Sequence, residues 1–184
     1  MTKHSVPRFL KLTLTALVLC VTSTSAADIT LPNQSKVTEV NFEKHIMGLF
    51  GKAGCNSGSC HGSFQGKGGF RLSLFGYNPD MDYEAVTRAS QGRRINRVSP
   101  EQSLLLLKPS GQMTHGGGRL FSKGTWQYQM LLEWIKAGMP RNKGEGKIKN
   151  VVITPAEVVV EKAGDQKTLK VIAEFENGTS EDIT

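Results

Sequence analysis

Two cysteines and a histidine lie together in one short loop of this chain. The segment reads Cys55-Asn-Ser-Gly-Ser-Cys60-His61, so four residues separate the cysteines and the histidine directly follows the second. The more common form of this motif, C-x2-C-H, attaches a c-type haem. In such a site the two thiols form thioethers with the haem vinyl groups, and the histidine binds the iron. The small residues between the cysteines let the longer loop bulge. The motif therefore predicts one covalent haem c on Cys55, Cys60 and His61.

The same residues also fit two other sites. Cys55 and Cys60 can close a small disulfide loop in an oxidising compartment, which would make the protein a haem-free binding module of the cell surface. A zinc site is the weaker alternative, because only Cys55, Cys60 and His61 lie close in sequence and no second pair follows at metal-ligand spacing.

The N-terminus has the pattern of an export signal over residues 1–26. Lys3, Arg8 and Lys11 precede an apolar run over 12–21, and small residues follow up to Ala27. A basic start, a short apolar core and a small-residue exit predict a cleaved signal and an exported protein, in the periplasm or on the cell surface. A retained anchor and a lipid anchor at Cys20 are the alternatives. The run is short for a membrane span, so none is expected after cleavage.

Signal cleavage changes the meaning of the composition. The whole chain has 184 residues, a net charge of +7 and three cysteines, of which Cys20 leaves with the signal. The mature chain then keeps 20 basic and 16 acidic residues, a net charge of +4. An exported protein is not expected to bind nucleic acid, so we interpret Arg93, Arg94 and Arg97 as a solvated or docking face.

Two segments of different character follow the signal. Residues 28–147 hold 16 basic and 9 acidic residues, and 148–184 hold 4 and 7. In the first segment, Asn41 and Thr125 are suited to cap two amphipathic helices, the second of which should end at Gly138. In the second, Val151–Ile153, Val158–Val160 and Leu169–Phe175 are predicted to be short strands. We therefore expect domains over 38–147 and 150–184.

The sequence resembles two known families. Over 40–147 it is similar to the planctomycete-type cytochrome c domain. The segments that carry this similarity are Gly54–Gly62, Gly69–Gly76, Ser99–Pro109, His115–Gly118 and Trp134–Pro140. Residues 153–184 resemble the first half of a bacterial immunoglobulin-like domain of group 2. The resemblance implies a mainly α, cytochrome-c-like haem domain followed by a partial all-β, immunoglobulin-like segment. It also implies that the chain is part of a longer multidomain product.

The sixth iron ligand is the open question of this prediction. His115 lies in a glycine-rich loop before the second helix, where a distal ligand is expected. Met113 is the alternative, since family members carry a Met-Pro-Pro segment where this chain has Met113-Thr-His115-Gly. With a sixth ligand the protein is expected to carry single electrons to a redox partner. If that partner is acidic, the basic face of this protein would favour its docking. With an open iron position it would instead be a haem enzyme.

Overall fold

The structure, a computed structural model, describes residues 28–184. The predicted signal over 1–26 lies outside this range. Within the described part of the chain, no helix is both long and apolar enough to cross a membrane.

The first helix forms where its cap predicts it. The side chain of Asn41 accepts a hydrogen bond from the Lys44 amide at 3.0 Å, which satisfies one of the free donors at a helix start. A π-helical turn over Phe42–Ile46 then continues into helix α1, Met47–Lys52. Its buried apolar residues face the core, and they are Phe42, Ile46, Leu49 and Phe50.

Three further helices complete the helical part. They are α2, Pro79–Thr87; α3, Leu104–Leu107; and α4, Trp126–Lys136. Thr125 stands at the N-cap of α4, though its side chain makes no capping bond there. Gly138, with a φ of 83°, lies just past its end, as the sequence predicts. Trp134 of α4 is fully buried and packs on Phe42, with ring centroids 5.4 Å apart.

The strands form two small antiparallel sheets. Strands β1, Ile29–Thr30, and β2, Lys36–Val37, pair with each other. Strands β3, Ile148–Thr154, β4, Lys170–Phe175, and β5, Ser180–Asp182, form a sheet in that order. The strand predicted over Val158–Val160 is wrong, because these residues form an exposed loop between β3 and β4.

The predicted fold class, a mainly α cytochrome-c-like domain followed by an immunoglobulin-like segment, is also wrong. The described residues are 26% helix and 14% strand, in four short helices and two small sheets. Long loops fill the space between α1, α2, α3 and α4. Many of their glycines adopt positive φ, among them Gly54, Gly66, Gly92, Gly111 and Gly118, a conformation that interrupts a helix.

The C-terminal sheet is joined to the helical part by side chains. Phe175 of β4 is buried, and the Lys44 ammonium lies 4.2 Å from the centroid of its ring. Glu181 of β5 contacts the Lys44 ammonium at 3.1 Å and Nε2 of His45 at 3.0 Å. The sheet therefore packs against the N-terminal turn that leads into α1.

Candidate cofactor site

One cleft collects the residues of the Cys-His motif. Its volume is about 360 Å³, within the range of small-molecule sites. Cys55, Cys60, His61 and His115 all line it. Apolar side chains from α1, α3, α4 and the loop before α4 form much of the wall, and these are Leu49, Phe50, Leu104, Leu105, Leu120, Phe121 and Leu131.

The loop that carries the cysteines is a compact turn built from backbone hydrogen bonds. The Cys55 amide donates to the carbonyl of Phe50 at 2.8 Å, which ties the start of the loop to the end of α1. The His61 amide donates to the carbonyl of Cys55 at 2.9 Å and brings the chain back over its start. Gly62 closes the turn where a Cβ would collide with the Asn56 carbonyl. The four-residue spacing is therefore accommodated by a closed turn.

The two cysteines are free thiols, each half-buried. Burial, together with the nearby Cys60, raises the pKa of Cys55 to about 11. The Cys55 thiol is therefore protonated at neutral pH. Both thiols line the same cleft, which is where a ligand attached through two thioethers would have to lie.

His61 is held by a hydrogen bond from one ring nitrogen. Its Nδ1 lies 3.0 Å from the carbonyl oxygen of Phe70, so Nδ1 carries the proton and donates it. The ring also packs on that of Phe70, with centroids 4.5 Å apart. Burial and, to a smaller extent, the neighbouring His115 and Arg94 lower the pKa of His61, and this outweighs the hydrogen bonds to backbone carbonyls that raise it. The neutral imidazole leaves Nε2 as a free acceptor.

His115 is held in the same way on its own loop. Its Nδ1 lies 2.9 Å from the carbonyl oxygen of Gly118, which accepts the Nδ1 proton. A Cβ on Gly117 would lie 3.1 Å from Cε1 of the His115 ring, so a glycine at 117 leaves room for that ring. The His61 and His115 rings are 6.2 Å apart between centroids, and their planes differ by 16°.

Met113, the alternative ligand, lies differently from His115. It is 42% exposed and does not line the cleft. Its amide donates to the carbonyl of Leu107, which holds this part of the loop at the end of α3. The structure thus brings His115, and not Met113, to the cleft with His61.

The sequence interpretation missed the charge of the cleft. Lys67, Arg93, Arg94 and Lys108 also line it. Arg93, Arg94 and Arg97 were predicted to form a solvated or docking face, and the solvated interpretation is wrong for Arg94, which is only 7% exposed. The sequence offers one usable signal: the tract over 88–97 is rich in arginine and is interrupted by Gly92, which marks a turn that folds back.

A compact zinc-type cluster receives no support from the structure. In the range 28–184, no three His, Cys, Asp or Glu side chains are arranged to hold a metal ion together. The cleft brings together two histidines, His61 and His115, rather than a cluster of three such ligands. No protein-family model, no curated protein and no solved structure matches the chain.

Proposed function

We propose that this protein binds one haem c and carries single electrons outside the cytoplasm. Cys55 and Cys60 hold the haem through thioethers, and His61 and His115 are its two axial ligands. One observation carries the proposal: His61 and His115 meet in the same cleft as both thiols, with their rings 6.2 Å apart. The similarity to the planctomycete-type cytochrome c family is part of this proposal.

The distance between the histidines supports a shared metal ion. Imidazole nitrogen binds a first-row metal at about 2 Å, and the ring centroid lies roughly 1 Å beyond that nitrogen. Two imidazoles that hold one ion between them would therefore have centroids about 6 Å apart. The separation of the His61 and His115 rings agrees with this value.

The hydrogen bonds of the two rings support the same role. Histidine ligands usually donate their second ring nitrogen to a carbonyl or carboxylate, which fixes the tautomer and the direction of the ring. His61 donates Nδ1–H to Phe70, and His115 donates it to Gly118. Both Nε2 atoms are left unprotonated and available to a metal.

The haem supplies the redox change, and the chain supplies binding and environment. The apolar wall of the cleft would exclude water from the haem, and the thioether bonds to Cys55 and Cys60 would prevent the release of the haem. With His61 and His115 both holding the iron, the site would favour electron transfer over binding of oxygen or peroxide. The expected export signal assigns this activity to the periplasm or the cell surface, and an acidic redox protein would complement the basic residues around the cleft.

Covalent haem is the direct test. The full chain would be produced in a host that exports it and attaches haem, and then examined by denaturing gel with haem stain, by intact mass and by absorption. We expect one haem per chain, and its loss in the double variant Cys55→Ser, Cys60→Ser. A chain that lacks the haem mass and is lighter by two protons would contain the disulfide and would contradict the proposal.

The sixth ligand is tested by a matched pair of variants. His115→Ala should change the spectrum from six-coordinate to five-coordinate and open the iron to exogenous ligands. Met113→Ala should leave the spectrum unchanged, because this side chain does not line the cleft. If His115→Ala leaves the spectrum unchanged, the iron has another ligand or none, and the haem-enzyme alternative becomes the better description.

A further inference from the structure

The cleft has an unusual balance of charge. Lys67, Arg93, Arg94 and Lys108 line it, whereas its lining contains no aspartate or glutamate. The described residues elsewhere form ten ion pairs, and none of them involves these four cations. A concave site with several cations and no counter-charge attracts anions.

Arg94 is the buried member of this group. Its guanidinium donates to the carbonyls of Ala85 at 2.9 Å, Ala89 at 3.0 Å and Gly69 at 2.6 Å. It also lies 4.4 Å from the centroid of the Phe70 ring. These neutral partners satisfy three of its five N–H donors, and no carboxylate of residues 28–184 forms an ion pair with it. Burial and the adjacent Arg93 lower the pKa of Arg94, as expected for a desolvated cation without a carboxylate.

The other three cations are free to reach a ligand. Lys67 and Arg93 make no side-chain hydrogen bond to any residue within 28–184, and both are exposed at the cleft. Lys108 is half-buried, and its only bond there is a long one of 3.4 Å to the Thr114 carbonyl. Side chains of this kind can turn toward an anion and lose only rotamer freedom.

We infer that Lys67, Arg93 and Lys108, backed by Arg94, form a carboxylate-binding site, and that the two propionate groups of the haem occupy it. This inference rests on the proposed function. A haem bound through its vinyl groups at Cys55 and Cys60 carries two carboxylates on the remote edge of the ring. Carboxylates taken into a half-buried site need cationic donors, and the cleft offers these cations on the same surface as the thiols.

The test separates the carboxylates from the rest of the haem. The full chain, produced without haem attachment, would be titrated with ferric haem and with its dimethyl ester, which has the same ring and iron but no negative charge. We expect haem to bind at least about tenfold more tightly than the ester, the gain of charge-assisted hydrogen bonds. Higher salt should reduce this preference.

A matched pair of double variants assigns the preference to the cleft. Arg93→Gln with Lys108→Gln should weaken haem binding by about tenfold and leave ester binding unchanged. The control, Arg97→Gln with Lys123→Gln, removes the same charge from exposed residues outside the cleft and should keep the preference. Arg94 is left intact, because its three bonds to the backbone make it part of the fold.

The outcomes distinguish this inference from the proposed function. If haem and ester bind equally to the unmodified chain, or if the cleft variant keeps the preference, the propionate site is wrong while haem binding stands. The inference is also contradicted if the cleft variant no longer binds an acidic partner protein but still prefers haem to its dimethyl ester. If neither compound binds and the exported chain lacks covalent haem, the proposed function and the inference both fail.

Discussion

The Nδ1 atom of His61 lies 3.0 Å from the carbonyl oxygen of Phe70, nine residues further along the chain. That oxygen also accepts the amide of Lys67 at 2.9 Å. The direction of the His61 ring therefore depends on a small turn over 67–70. The same turn is held from the other side by Arg94, which donates to the carbonyl of Gly69.

The turn can be disturbed by one methyl group. Gly66 and Gly68 both have positive φ, at 66° and 59°. A Cβ on Gly66 would collide with the Phe70 carbonyl oxygen, whereas a Cβ on Gly68 meets nothing within 4 Å. We expect Gly68→Ala to reduce the free energy of unfolding by about 1 kcal/mol through backbone strain. Gly66→Ala should reduce the free energy of unfolding by roughly 1–3 kcal/mol more than Gly68→Ala, because its Cβ overpacks the turn.

Denaturant unfolding gives these energies, and the NMR signal of the His61 Nδ1 proton gives the ring orientation. We expect that signal to shift in Gly66→Ala and not in Gly68→Ala. Equal losses of stability in the two variants, with an unchanged signal, would show that His61 is held independently of Phe70.

The His115 ring allows a similar comparison on the other wall of the cleft. A Cβ on Gly117 would press against Cε1 of His115, whereas one on Gly116 meets nothing within 4 Å. Neither glycine has positive φ, so the two alanine variants differ mainly in this contact. In the haem-loaded protein, Gly117→Ala should weaken the bond of the sixth ligand and raise the affinity for an exogenous ligand such as imidazole. Gly116→Ala should behave as the unmodified protein, and an equal response of both variants would contradict His115 as ligand.

The contact of Glu181 with the helical part should make stability depend on pH. Burial raises the pKa of Glu181, but hydrogen bonds and charges from His45 and Lys44 outweigh it, so the pKa is lowered overall. A carboxyl group with a pKa lowered by folding stabilises the protein above its unfolded-state value of about 4.3. This contribution is lost as the pH falls through the lower folded-state value.

We therefore expect Glu181→Gln to reduce the free energy of unfolding by about 1 kcal/mol at pH 7 and by much less at pH 3. Glu174→Gln is the control, because within residues 28–184 the Glu174 side chain in the same sheet accepts a hydrogen bond only from Asn150. Denaturant unfolding at both pH values gives the difference. A loss for Glu181→Gln that is the same at pH 7 and pH 3 would rule out the ionised form as its source.

Phe75 is an exposed aromatic residue in a left-handed backbone conformation. Its φ is 53° and its side chain is 76% exposed, while its amide donates to the Asn56 carbonyl of the cysteine loop. Bulky residues in this conformation are strained by roughly 1–2 kcal/mol. Phe75→Gly should therefore raise the free energy of unfolding by up to about 1 kcal/mol, after the greater entropy of the unfolded glycine is subtracted. Phe64→Gly, at another exposed aromatic residue, should give no such gain. A loss of stability in Phe75→Gly would show instead that the packing of the Phe75 side chain stabilises the fold.

The sequence predicts those elements whose signals are local. Asn41 caps the first helix and Gly138 follows the end of α4, because capping depends on residues within one turn. Helix α2 also has a local signal in the sequence, because Asn78 is suited to the N-cap and Pro79 to the first turn. In the structure the Asn78 side chain accepts a hydrogen bond from the Met81 amide. The Asn177-Gly178 turn between β4 and β5 forms as its residue types indicate.

Elements that depend on distant partners were not predictable in this way. Val158–Val160 has strand-forming residues, yet β4 pairs with β3 and β5 and leaves this segment in a loop. The predicted fold class is wrong because segments that the resemblance implies to be helical form glycine-rich loops. The positions of His61 and His115 in the sequence predict that they meet, whereas the burial of Arg94 depends on its contacts with the distant carbonyls of Ala85 and Gly69.

The turn that precedes α1 has two neighbours, and this has a mechanical consequence. Lys44 and His45 hold the C-terminal sheet through Glu181, and the end of α1 holds Cys55 through the Phe50 carbonyl. One path from the sheet to the cysteine loop therefore runs through Lys44 and along α1, over about two helical turns. Force applied to the C-terminal sheet would therefore be transmitted along α1 to the loop that carries Cys55.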